Sequence, residues 1–112
     1  MTGSPPSHPQ RRAHFRVVYP SDYRPVLFIK GCQYPVLDIS EAGVRFLNRQ
    51  HTPLPEDVFS ACVQFQDGEQ IQIVGKVIRV QENQVALMLL IRGIPYRKVI
   101  AEQIFLRRQG CS

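Results

Sequence analysis

Apolar and polar residues alternate through the middle of the chain far more often than they recur every three or four positions. "VFSACVQF" at 58–65 sets Phe59, Ala61, Val63 and Phe65 on one face, the period-two mark of a strand. "IQIVGKVIRV" at 71–80 starts in one alternation phase and ends in the other, and the change around Gly75 predicts a bulge. "VALMLLI" at 85–91 is unbroken apolar sequence and predicts a strand buried on both faces. Shorter runs precede these. "VLFI" at 26–29 ends at Lys30-Gly31, and "YPVLDI" at 34–39 leads through the polar turn "SEAG" into "VRFL" at 44–47. Asp67-Gly68 is a hairpin signal, Glu82-Asn83 makes the next turn, and "HTPLPED" at 51–57 is a loop held by two prolines.

The C-terminal stretch changes period. "IPYRKVIAEQIFLRR" places Tyr96, Val99, Ile100, Ile104 and Phe105 near helical spacing, which predicts a helix over about 94–108. Pro95 suits its first turn, and Arg107 and Arg108 complement the negative end of its dipole. "MTGSPPSHPQ" at 1–10 reads as a flexible polar tail. The remainder, 11–112, is long enough for one domain, and many short strands point to a mainly β barrel or sandwich.

Charge sharpens this outline. The chain carries a formal net charge of +5, but unevenly. Residues 1–16 hold three arginines and no acid, residues 17–91 hold six basic and eight acidic residues, and residues 92–112 hold five basic residues and Glu102. Basic ends on a mildly acidic body suit an anionic partner, or serve solubility alone. The three cysteines are odd in number and lack CxxC spacing, so Cys32 and Cys62 read as buried thiols in a reducing compartment, with Cys111 in the tail. His8, His14 and His51 are too scattered for a metal site. No apolar run reaches bilayer length and no signal peptide opens the chain, so the expected location is the cytosol.

Two short patterns carry the candidate chemistry. "RRAHFR" at 11–16 supplies Arg12 and Arg16 four apart, a spacing that eleven arginines also produce at Arg45 and Arg49. "DISEAG" at 38–43 places Asp38, Ser40 and Gly43 at the seam of two strands. Alone, it is also what a plain turn needs: Asp and Ser bonding nearby backbone, and Gly taking a positive φ.

Together, RxxxR followed after 21 residues by DxSxxG resembles the signature of PilZ domains, bacterial receptors for cyclic di-GMP. The resemblance covers nearly the whole chain, including the proline-rich lead, the short strands, "GKVIRV" at 75–80 and the terminal helix. Arg45 and Arg49 have no DxSxxG after them and do not qualify. The resemblance implies a six- to seven-stranded antiparallel β-barrel of split-barrel type, with a C-terminal α-helix and a flexible N-terminal arm. It implies ligand binding by Arg12, Arg16, Asp38, Ser40 and Gly43. It also implies a role for Arg11, which in similar family members accompanies an intercalated pair of ligands; added positive charge is the competing reading. Arg79 falls where the family often sets Trp or Arg beside a guanine, and equally reads as a solvent-facing strand residue.

The chemistry fits such a ligand. Guanine offers O6 and N7 to an arginine fork, and its opposite edge donates N–H groups that a carboxylate accepts. The same guanidinium binds a phosphate oxygen pair or stacks on a base. The expected protein is a sensor without catalytic groups or cofactor. It would pass its signal to a downstream protein of the motility, exopolysaccharide or virulence machinery, without inserting into a membrane. Two other readings compete: a PilZ-like scaffold that binds proteins without nucleotide, and a nucleic-acid-binding barrel, against which the acidic body argues.

Overall fold

The computed structural model describes residues 15–110. Seven strands are present: β1 (Val17–Val18), β2 (Val26–Ile29), β3 (Cys32–Ile39), β4 (Gly43–Leu47), β5 (Phe59–Gln64), β6 (Gln70–Gln81) and β7 (Gln84–Arg92). One α-helix, α1 (Tyr96–Arg108), follows them, and a short 3₁₀ turn at Ser21–Tyr23 links β1 to β2. All pairings are antiparallel, in the order β1-β3-β2-β5-β6-β7-β4, and β3 also pairs with β4. That last pairing closes β2–β7 into a six-stranded barrel, and β1 is an extra strand on its outside. Closure removes the free edges that an open sheet of this size would present.

β3 makes closure possible because it serves two neighbours in turn. Its first half lies against β2, from Ile29↔Cys32 to Val26↔Pro35. From Val36↔Phe46 onward its second half lies against β4, with a register shift between Val36 and Asp38. Turn chemistry fixes the hairpins. Lys30 and Gly31 both take positive φ, 49° and 84°, as a tight two-residue β-turn requires. Gly68 (φ 91°) and Glu82 (φ 57°) supply positive φ at the β5–β6 and β6–β7 hairpins. The bulge expected near Gly75 is present between Val74 and Gly75, and a second lies between Val77 and Arg79.

The core is the barrel interior: Leu27, Val36, Phe46, Val63, Ile39, Ile73 and Val85 are almost wholly excluded from solvent. α1 covers one end through Val99 and Leu106, with Tyr23 edge-on to Phe105 at 5.6 Å between ring centres. It starts at Tyr96 with Pro95 as N-cap, so the proline precedes the first turn instead of lying in it. Its packed face also differs from the apolar spacing. Ile104 is 42% exposed, whereas Lys98 and Glu102 are buried. Lys98 donates to Asp67 at 2.7 Å, pairs with Glu69 at 3.1 Å and Glu102 at 3.3 Å, and its ammonium stands 4.5 Å from the Phe65 ring centre. Tyr19 donates to the other Glu102 oxygen at 2.6 Å. A buried charge is tolerated only when paired. Burial works against the Lys98 charge, but the surrounding carboxylates outweigh it and hold its pKa above the usual lysine range. Lys98 in turn holds Asp67 below its usual value. Burial and the Glu102 hydrogen bond push the Tyr19 phenol far upward. This clamp ties α1 to the β5–β6 turn and to the chain just after β1.

Two expectations need correction. β7 is buried on one face only: Val85, Leu87 and Leu89 point inward, while Met88, Leu90 and Ile91 are exposed, because the outer barrel wall carries no second layer here. Nor are the cysteines buried. Cys32 is exposed at a hairpin end, and Cys62 is half-exposed because it alternates with the inward Ala61 and Val63. Cys111 and the tail expected at 1–10 lie outside the described residues.

Candidate functional site

Asp38 is the centre of a cluster on the outside of the barrel. It is 1% exposed although it faces away from the core. Arginines cover it: Arg16 donates to one carboxylate oxygen at 3.0 Å, and Arg45 donates through Nε to the other at 2.7 Å. The register explains the meeting. On β3, Asp38 stands between Val18 of β1 and Arg45 of β4. Arg16, one residue before β1, is thereby delivered to the same carboxylate. Arg45 also donates to Gln84 on β7 at 2.9 Å. Both arginines remain partly open, with side chains 53% exposed at Arg16 and 39% at Arg45, so each guanidinium keeps donors turned to solvent.

The turn after Asp38 is tight and pinned. Ser40 N–H donates to Gly43 O at 2.9 Å, and the buried Ser40 hydroxyl accepts from Ala42 N–H at 3.3 Å. Outside the turn, Leu89 N–H donates to Ala42 O at 2.9 Å and Ile94 N–H to Glu41 O at 3.3 Å. Gly43 does not take the positive φ expected of a turn glycine. Its lack of a side chain serves close approach instead: a Cβ there would stand 3.2 Å from the Leu87 carbonyl on β7. Gly93 does the same on the other side, where a Cβ would collide with the Glu41 carbonyl.

A cleft of about 360 Å³ opens over this cluster, between the β3–β4 turn and the outer faces of β6 and β7. Arg16, Asp38, Ser40, Gly43 and Arg79 all line it. Arg79 is exposed and has no hydrogen bond or ion pair among the described residues. Arg11 and Arg12 lie outside the described residues. The sequence reading missed Arg45, dismissed there as half of an unqualified RxxxR, and also Gln81 and Gln84. Centring the β3–β4 hairpin on Glu41-Ala42 would have set Arg45 opposite Asp38. Arg49, the other half of that pair, lies away from the cleft. Three guanidiniums face one carboxylate here, and Ile78, Ala86 and Met88 add apolar wall. Such a cleft suits an anion that also carries a flat ring. Among the described residues no group of His, Cys, Asp or Glu is arranged to hold a metal ion. No helix among them is long and apolar enough to cross a membrane.

A closed antiparallel barrel with an arginine-lined groove on its outer wall is the class of module defined here. The sequence matches the PilZ domain model over residues 10–105, and the chain belongs to that family. PilZ domains are non-enzymatic binding domains, and cyclic di-GMP is the family's ligand. The fold is similar to that in a crystal structure of an uncharacterized Legionella protein. That likeness has a TM-score of 0.63 at 18% identity and covers 86% of this chain and 97% of the other. No curated protein matches the sequence.

Proposed function

We propose that the chain binds cyclic di-GMP in the cleft over Asp38 and relays its presence, as a PilZ adaptor, to another protein. One observation carries this reading. Residues from three distant stretches, Arg16, Asp38 with Ser40 and Gly43, and Arg79, line a single groove. Arg16 grips a phosphate or the guanine O6/N7 edge with the donors that Asp38 leaves free, and Arg12 does the same from four residues upstream. Asp38 aims Arg16 and Arg45 and retains lone pairs for guanine N–H groups. Ser40 and Gly43 keep the opposite wall low, and Arg79 stacks on or forks to a base. Arg11 adds the charge that a second, intercalated ligand molecule needs.

Capture fastens the N-terminal segment over the cleft, and the surface so changed is what the downstream protein reads. Support comes from β1, which pairs with β3 beside Asp38 and so holds Arg16 at the cleft. The test is a calorimetric titration of the full chain with cyclic di-GMP, with GTP and cyclic di-AMP as controls. Saturable heat for cyclic di-GMP alone is expected, with a ratio near two if Arg11 acts as assigned. Absence of heat and of competition would leave a barrel that binds proteins without nucleotide.

A further inference from the structure

Beyond the cleft, the end of β7 carries apolar side chains that nothing among the described residues covers. Leu90 is 46% exposed and Ile91 79%. The irregular pairing accounts for both. Gly75 stands opposite Leu89 and Val74 opposite Arg92, so Leu90 and Ile91 have no partner on β6 and bulge from the wall. Isolated exposed apolar residues are ordinary, but two adjacent ones pushed out of the wall by an irregular pairing mark a surface fit to be covered.

The charged residues of the two strands have one sign. Lys76 and Arg92 are exposed, and neither side chain has a hydrogen bond or ion pair among the described residues. Neither strand contains an acidic residue. Elsewhere the molecule pairs its exposed cations where acids are near, as Arg97 does with Glu69 at 2.9 Å. Along β6 and β7 the bases are left unmatched around an apolar centre.

We infer that this face docks a segment of a partner protein presenting acidic residues beside large apolar ones. The apolar side chains would cover Leu90 and Ile91, and the acids would meet Lys76 and Arg92. Apolar burial supplies affinity, and the complementary charges set orientation and speed of encounter. The inference stands on this strand face whichever molecule fills the cleft.

The test is selection of displayed random peptides on the full chain. Enriched peptides are then synthesised and titrated by fluorescence anisotropy against the wild type, Ile91→Asp, and the double variant Lys76→Glu with Arg92→Glu. Every altered side chain is exposed, and circular dichroism checks that each variant is folded. The expected result is enrichment of Asp or Glu together with Leu, Ile or Phe, with binding weakened about tenfold or more in both variants. Peptides lacking acids, binding unchanged in both variants, or no enrichment would overturn the inference. So would two further results: phosphatidylglycerol vesicle binding that the same variants abolish, or a dimer in sedimentation that Ile91→Asp dissolves. The first would assign the face to a membrane and the second to another copy of the chain.

Discussion

Two ion clusters sit at opposite ends of β1, and they are built in reverse of each other. In the helix clamp the buried ion is a cation, Lys98, and three carboxylates and a ring enclose it. In the cleft the buried ion is an anion, Asp38, and its two arginines reach in from solvent. Lys98 has three N–H donors and three acid partners, so the clamp is saturated. A guanidinium has five donors, and Arg16 gives Asp38 one of them. The clamp is complete without help. The cleft has charge and hydrogen bonds to spare, as the proposed ligand site requires.

The largest effect expected from breaking this contrast is on the clamp. Lys98→Ala strands Glu102 beneath the helix without its cation, and removing one member of a buried pair costs about 3–5 kcal/mol. Urea unfolding should show that loss. A midpoint close to wild type would mean the clamp is as dispensable as a surface pair. Next comes Arg16→Ala, expected to weaken cyclic di-GMP binding by about tenfold to a hundredfold, because bonds to charged groups are worth roughly 1.5–3 kcal/mol. The same urea experiment should barely change, since Arg16 is half in solvent. Equal affinity in calorimetry would remove Arg16 from the site.

Smaller still is Tyr19→Phe, which deletes one hydrogen bond at 2.6 Å and keeps the ring. A loss of about 1–2 kcal/mol is expected. If ligand affinity fell together with stability, the two clusters would be coupled through β1.

The smallest effect is that of pH. Lys98 holds Asp67 below its usual value, and Arg97 with Lys98 does the same for Glu69. Their contribution is therefore present at neutral pH and fades as pH falls below about 4. Lys98 and Tyr19 are raised, so their contribution fades as pH climbs above about 10. Stability should be flat between these limits, and Lys98→Ala should flatten the acid limb. A slope near pH 7 would contradict this account.

Strand order and turns were legible because alternation and turn residues are local signals. The turns at Asp67-Gly68 and Glu82-Asn83 stand where they were expected, and the strand at 26–29 ends at Lys30-Gly31. β1 was not foreseen: two valines form no pattern, and they become a strand only because β3 offers them a free edge. Local signal also misled at β7, where a continuous apolar run reads alike whether a strand is buried twice or leaves one face open. In the candidate site, Arg16, Asp38 and Ser40 stood out through their spacing. Arg45 did not, because its meaning comes from lying across the hairpin from Asp38. The Lys98 cluster was hidden for the same reason, since Asp67, Tyr19 and Glu102 converge only after the barrel closes.

The placement of β1 also works as a leash. Val17 is fastened to Ile39, so Arg16 hangs from a fixed post one residue away. One residue of chain reaches at most about 3.6 Å. Whatever rotamer Arg16 adopts, its guanidinium stays within a side chain's length of Asp38. Inserting a few glycines between Arg16 and Val17 would leave every contact chemically available and still forfeit that advantage.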